Sequence, residues 1–293
     1  MTAEEACIDC LKRRNEERMK LFRDESRKRE YRDKLGKIIE DFRFSESAPG
    51  ISERADELFF DFWGVKEDFS KLKKEYNQLL LKKEDELKNR IANSDDPILS
   101  GIKFVAAANY IDFMAVENVN EDTLETLLTK AETVEIDKAE YAGFLTELKN
   151  AKSLTYLTDN CGEIVLDKIF IETLRKRFPE MKITAVLRGG NVVNDASMDD
   201  AEEVGLTSVT RCIGNGTKAA GTVVNRLSDE AKNVLSCADI IFSKGQGNFE
   251  SLYDEGFNPY YLFLCKCRLF TERFGVKRFE TVFCKEERIK RFV

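Results

Sequence analysis

The spacing of apolar residues changes character near residue 151. Before that point glycine and proline are sparse and the pattern is helical. Residues 53–62 (ERADELFFDF) are amphipathic, and residues 71–91 set Tyr76, Leu80, Leu87 and Ile91 on one face. The segment SDDP at 94–97 breaks or caps the chain before a further helix. Residues 106–115 (AAANYIDFMA) are small and apolar, interrupted by Asn109 and Asp112, which lie three apart on nearly one helix face. Two more helices are expected over 121–131 and 137–150. Residues 1–150 are therefore expected to form an all-helical domain.

From residue 151 onward, short apolar runs alternate with helical stretches. The runs are 153–158, 182–187, 206–213, 238–243, 260–265 and 279–283, with helices expected after the first run through Arg177 and from Ser228 to Ser236. Strands that alternate with helices imply βαβ units, a mainly parallel sheet and right-handed crossovers. The fold class is α/β for residues 151–293, beneath a helical N-terminal domain. No internal repeat is visible.

The chain contains no histidine. This excludes Ser-His-Asp and Cys-His chemistry and every histidine metal ligand. Any catalysis must rest on carboxylates, lysine, arginine, cysteine, amides and a metal ion. A net charge of −7 argues against nucleic acid as the main partner. No apolar run approaches the length of a membrane span and the first residues lack the apolar core of a secretory signal, so a cytoplasmic protein is expected. The eight cysteines are expected as reduced thiols, with Cys7 and Cys10 forming a CxxC and four-cysteine zinc binding as the lesser alternative.

Open parallel sheets bind ligands at the carboxyl ends of their strands. Four of the runs end in polar, glycine-containing clusters: TDNCGE, RGGNVVND, GNGT and SKGQGN. In the first, Asp159 and Asn160 are hard oxygen donors suited to Mg²⁺ or Mn²⁺. Gly162 permits close backbone approach, and Glu163 opens the following helix, whose free N–H groups can hold an anion. Asn194 and Asp195 follow the second run after Arg188-Gly189-Gly190, and Asp195 can complete a three-oxygen site with Asp159 and Asn160. The same Asp and Asn residues are also good helix caps. Lys244, followed by Gly245, can act as a point charge on a phosphate. The chain has neither a Walker A loop nor GxGxxG after its first strand.

Taken together, TDNCGEIVLDK, RGGNVVNDASMDDA, SKGQGNFESL, ANYIDF and the early CxxC resemble the damage-control phosphatase family, long called domain of unknown function eighty-nine. The resemblance is closest to its microbial stand-alone branch and covers the chain from Cys7 to about Phe283. It implies a Rossmann-like α/β domain with a helical N-terminal domain, and metal-dependent hydrolysis of phosphate monoesters of small metabolites, either sugar phosphates or damaged phosphometabolites. It also implies metal ligation by Asp159, Asn160 and Asp195, phosphate contact by Lys244, and places for Asn109 and Asp112 near the site. Asn191 and Ser197 stand where the family's second motif carries Pro and Thr, and GNGTKAAGT is looser than usual, departures that bear on substrate shape.

The expected catalytic residues are thus Asp159, Asp195 and Lys244. Substrate contacts are expected from Asn109, Asp112, Gly162 and Glu163, and from Arg188, Asn194 and Gly245. The cofactor is a divalent ion, one of Mg²⁺, Mn²⁺, Co²⁺ or Ni²⁺. Water is the simplest nucleophile, with an aspartate as the alternative. Two other functions stay open on the same fold: a carboxyl methyltransferase using S-adenosylmethionine, and a non-catalytic metabolite or metal sensor. Oligomeric state is not legible.

Overall fold

Short apolar runs between polar turns persist as central strands when helices cover both faces of their sheet. In the computed structural model, which describes residues 1–109, 129–131 and 133–289, six strands form one sheet. They are β1 (Ser153–Leu157), β2 (Lys182–Leu187), β3 (Arg211–Gly214), β4 (Ile240–Lys244), β5 (Tyr260–Leu264) and β6 (Thr281–Lys285). Their order is β3-β2-β1-β4-β5-β6, parallel throughout except for antiparallel β6. This is the Rossmann order, and the strand order reverses beside β1. The carboxyl ends of β1 and β4 therefore flank the crevice where such a sheet takes its ligand.

Helices α1 (Glu5–Met19), α2 (Glu25–Phe42), α3 (Ala48–Trp63), α4 (Ser70–Leu81), α5 (Glu84–Ala92), α6 (Pro97–Ala108) and α7 (Lys138–Leu148) precede the sheet. Within the α/β part, α8 (Ile164–Arg177) joins β1 to β2, and α9 (Met198–Glu203) and α10 (Leu206–Val209) lead to β3. Helix α11 (Asp229–Ser236) precedes β4, α12 (Gln246–Leu252) follows it, and α13 (Arg268–Phe274) lies between β5 and β6.

The structure differs from the sequence expectation in three places. Residues 71–91 are two helices, not one, with the break at Lys82 and Lys83. Residues 206–213 are not a single strand. Gly205, with φ of 77°, starts the short helix α10, and the chain becomes extended only at Thr210. A short apolar run does not distinguish a helical turn from a strand by its period. The third concerns packing: the N-terminal helices do not all share one core. Helices α4 to α8 share one core with the sheet, in which Tyr156 stacks on Phe242 at 5.1 Å and Phe144 packs beneath them. Helices α1 to α3 close a separate core around Tyr31, Ile51 and Phe59. The opposite face of the sheet is covered by α11, α12 and α13. The expected helix over 121–131 lies, apart from 129–131, outside the described residues.

The α1–α3 unit is fastened to the loops at the strand ends by charge. Arg226 pairs with Glu46 at 2.6 Å and with Glu53, and the Lys218 N–H donates to Glu53 Oε1 at 2.6 Å. Between this unit and the loops lies a cavity of about 450 Å³, whose lining includes Cys7, Cys10, Gln246, Glu250 and Cys267. All eight cysteines are free thiols. Burial pushes the Cys7 thiol up to about 12, which suits an unreactive packed thiol.

Two measurements test this packing. An added Cβ at Gly101 of α6 would stand 2.5 Å from the Phe170 ring of α8, whereas Gly36 on exposed α2 has nothing within 4 Å. Gly101→Val is expected to lose about 1–3 kcal/mol in urea denaturation, and Gly36→Ala to gain about 0.5–1 kcal/mol. Burial raises Glu250 to about 7, against a donated hydrogen bond from Gln246 that lowers it. A carboxyl raised in the folded state stabilises below its unfolded pKa of 4.5 and loses that contribution as pH rises through about 7. Glu250→Gln should therefore flatten the fall in melting temperature across that window; an unchanged slope would contradict the assignment.

Candidate active site

Thr158 carries the chain from β1 into the turn Asp159-Asn160-Cys161-Gly162-Glu163, and Gly162, at φ 71°, lets it swing into α8. The segment after β2 folds back along this turn. Cys161 N–H donates to Asn194 O and Ala196 N–H to Asp159 O, both at 2.7 Å, so Asn160 and Asp195 stand opposite each other in an antiparallel bridge. Val193 is held at φ 38° just before this bridge, an uncommon conformation for a β-branched residue. Backbone pairing thus brings Asp159, Asn160, Asn194 and Asp195 to one place. Their side chains interlock as well: Asn160 Nδ2 donates to Asp159 Oδ2 at 2.9 Å, and Asn194 Nδ2 donates to Asn160 Oδ1 at 2.8 Å.

Arg188, at the end of β2, lies inside this cluster and is 2% exposed. Its Nε donates to Asp195 Oδ2, its Nη2 lies 3.5 Å from Asp159 Oδ1, and its Nη1 donates to Asn248 Oδ1 at 2.7 Å. Asn248 in turn donates to Thr158 O at 3.0 Å and Lys244 O at 2.7 Å, which ties the end of β1 to the end of β4. Gly245, at φ 83°, passes under Asp159 so closely that a Cβ there would stand 2.1 Å from the carboxyl carbon. Only glycine fits.

Lys244 is also buried, at 1% exposure, with its ammonium 2.6 Å from Asp167 Oδ1 and 3.1 Å from Glu163 Oε1. Glu163 accepts from Asn160 N–H at 2.8 Å and from Asn109 Nδ2 at 3.1 Å, and Asp167 accepts from the Tyr156 hydroxyl at 2.7 Å. Asn109 Nδ2 also donates to Asp159 Oδ2 at 2.8 Å. Burial raises Asp159, Glu163 and Asp167 above the usual carboxylate range, and for each a neighbouring carboxylate adds to the rise. Burial alone would lower Lys244, but Asp167 and Glu163 hold it above the ordinary lysine value.

Asp159, Glu163, Asp167 and Asp195 are four buried carboxylates, and Arg188 and Lys244 are two buried cations beside them. The donor set fits a divalent ion. Asp159, Asn160 and Asp195 are hard oxygen donors, a carboxamide oxygen retains a second lone pair after one hydrogen bond, and a 2+ ion offsets the excess of negative charge. Asn109 Oδ1 is buried with no hydrogen-bond partner among the described residues and is a further oxygen for a cation or its water.

The sequence expectation and the geometry part in two respects. Lys244 and Arg188 do not face outward as free point charges, since both are already paired with carboxylates. The Gly162 N–H is not open to an anion, because Asn77 Oδ1 accepts it at 2.7 Å. Asp112 lies outside the described residues. Sequence reasoning missed Asp167, Asn248, Asn77 and Lys73. Asp167 had a signal, since it stands four positions after Glu163 on the same helix face. Asn248 had one too, inside the glycine-rich cluster after β4.

The model of the damage-control phosphatase ARMT1-like domain matches residues 3–282. An uncharacterised protein of Methanocaldococcus jannaschii is 31% identical over 232 residues, covering 74% of this chain and 73% of that protein. A damage-control phosphatase of Archaeoglobus fulgidus is 28% identical over 231 residues, 77% of this chain and 78% of the relative. The crystal structure of a DUF89 family protein from Pyrococcus horikoshii aligns with TM-score 0.82 at 23% identity, over 98% of this chain and 99% of that one, which bears out the fold. The chain belongs to the damage-control phosphatase ARMT1-like family.

Proposed function

We propose that this chain is a metal-dependent phosphatase that hydrolyses phosphate monoesters of small metabolites. The observation that carries the reading is the convergence of Asp159, Asn160 and Asp195 at the reversal of strand order, in a buried cluster with more carboxylates than cations. The phosphatase relatives and the family membership support it. Asp159, Asn160 and Asp195 would hold Mg²⁺, Mn²⁺, Co²⁺ or Ni²⁺, and the bound ion would supply positive charge against a phosphoryl oxygen.

The chain's own groups have distinct tasks. Arg188 bonds to both Asp159 and Asp195 and so fixes their separation, and Asn248 orients Arg188. Lys244 holds Glu163, which in turn fixes the Asn160 backbone and Asn109. Asp159 acts as a ligand rather than a nucleophile, because it stands beside Asn160 and opposite Asp195 in one oxygen-donor group. Water then adds to phosphorus, and the ester oxygen leaves with a proton as an alcohol.

No helix among the described residues is long and apolar enough to cross a membrane. The test is phosphate release from sugar phosphates and an aryl phosphate, with chelator and with each of the four metals. Metal-dependent release is expected, and Asp159→Ala and Asp195→Asn should lower it at least about 100-fold. Gly245→Ala should lower it comparably, since a methyl group there displaces Asp159. Release at the wild-type rate by Asp195→Asn would overturn the reading, and tight binding of esters without turnover would favour a sensor.

A further inference from the structure

Asn77 lies on α4, 85 positions before Gly162, and is fully buried against the site turn. Its Oδ1 accepts the Gly162 N–H at 2.7 Å. Its Nδ2 donates to Asp200 Oδ1 and Glu203 Oε2 of α9, both at 2.9 Å. An N–H on one side and two carboxylates on the other fix which way the carboxamide points. Lys73, one turn earlier on α4 and also buried, pairs with Asp200 Oδ2 at 2.6 Å. The same Asp200 oxygen accepts from Ser197 N–H at 2.8 Å and Ser197 Oγ at 2.7 Å.

These bonds grip both segments that carry the metal ligands. Gly162 is two residues past Asn160. Ser197 is two residues past Asp195 and is bridged to Arg188. Asn77 and Lys73 act through the backbone on either side of the Asp159-Asn160 turn and the Asp195 segment. A leucine of similar size at position 77 would leave the Gly162 N–H without its acceptor and Asp200 Oδ1 without the Asn77 donor in a dry place, a situation that folded chains relieve by moving the backbone.

We propose that Asn77, seconded by Lys73, is a positioning residue that sets the separation between the Asp159-Asn160 turn and the Asp195 segment, and with it the affinity for the metal. This rests on the metal-dependent reading above. By this route the helical region, whose α4 shares the core of the sheet, governs a site built from the strand ends.

The decisive comparison uses the full-length chain and a reciprocal swap. Asn77→Asp keeps an acceptor for Gly162 but sets a carboxylate against Asp200 and Glu203; half-buried Glu203 can turn toward Gln78 and solvent, whereas buried Asp200 cannot. Asp200→Asn restores a donor to face it while keeping an oxygen for Ser197. Lys73, four positions before residue 77 on one helix, can pair with the new carboxylate. Mn²⁺ affinity by calorimetry and the Mn²⁺ paramagnetic resonance spectrum are read for wild type, both single variants and the double variant. Each single variant is expected to weaken Mn²⁺ binding about tenfold or more and to alter the spectrum, and the double variant to return to within about threefold of wild type. Single variants that bind Mn²⁺ as wild type does, or a folded double variant no better than the singles, would overturn the positioning role alone. A wild type that binds no divalent ion would overturn the metal reading itself, and this inference with it.

Discussion

The buried guanidinium of Arg188 is the interaction on which the strand-end cluster depends. Asp159 and Asp195 are brought together by backbone pairing, and both are almost out of water. Two carboxylates so placed repel each other, and burial adds the cost of lost hydration. Arg188 reaches both, and Asn248 fixes its plane by joining it to the backbone at the ends of β1 and β4. Lys244 performs the parallel service one layer deeper for Glu163 and Asp167. The four carboxylates still outnumber the two buried cations beside them, an excess that the proposed metal ion would offset.

Backbone shape carries the rest. The reversal of strand order beside β1 opens a crevice between the ends of β1 and β4, and the turn after β1 and the loop after β4 meet there. Gly245 passes under Asp159 with no room for a side chain, so the loop after β4 forms the floor of the carboxylate. Asn77 and Lys73 press on the site from the opposite side, through Gly162 and Asp200. The site is therefore the meeting point of three glycine-bearing strand ends, after β1, β2 and β4, and of helices α4 and α6 of the N-terminal region.

Much of this was legible in the residues. Alternating strand and helix periods led to a mainly parallel sheet, and polar clusters at successive strand ends led to the place of the site. What escaped depends on contacts between distant parts of the chain. In KLKKEYNQ only the apolar positions marked the buried face of the helix; Lys73 and Asn77 lie on that face too, and their partners on α9 are more than 120 positions away. Lys244 read as a free phosphate contact because its acidic partners lie on α8, about eighty positions earlier. The grouping of helices into cores is illegible for a similar reason. Helices α4 to α7 are as helical in pattern as α1 to α3, and period alone does not say which sheet or helix an apolar face will cover.

The most direct measurement is anomalous diffraction from crystals grown with Mn²⁺, collected on both sides of the manganese edge. One strong peak is expected within coordination distance of Asp159, Asn160 and Asp195, at the crevice between the ends of β1 and β4. No peak there, or a peak only at the thiols of Cys7, Cys10 and Cys267, would contradict a metal centre built from the strand-end oxygens.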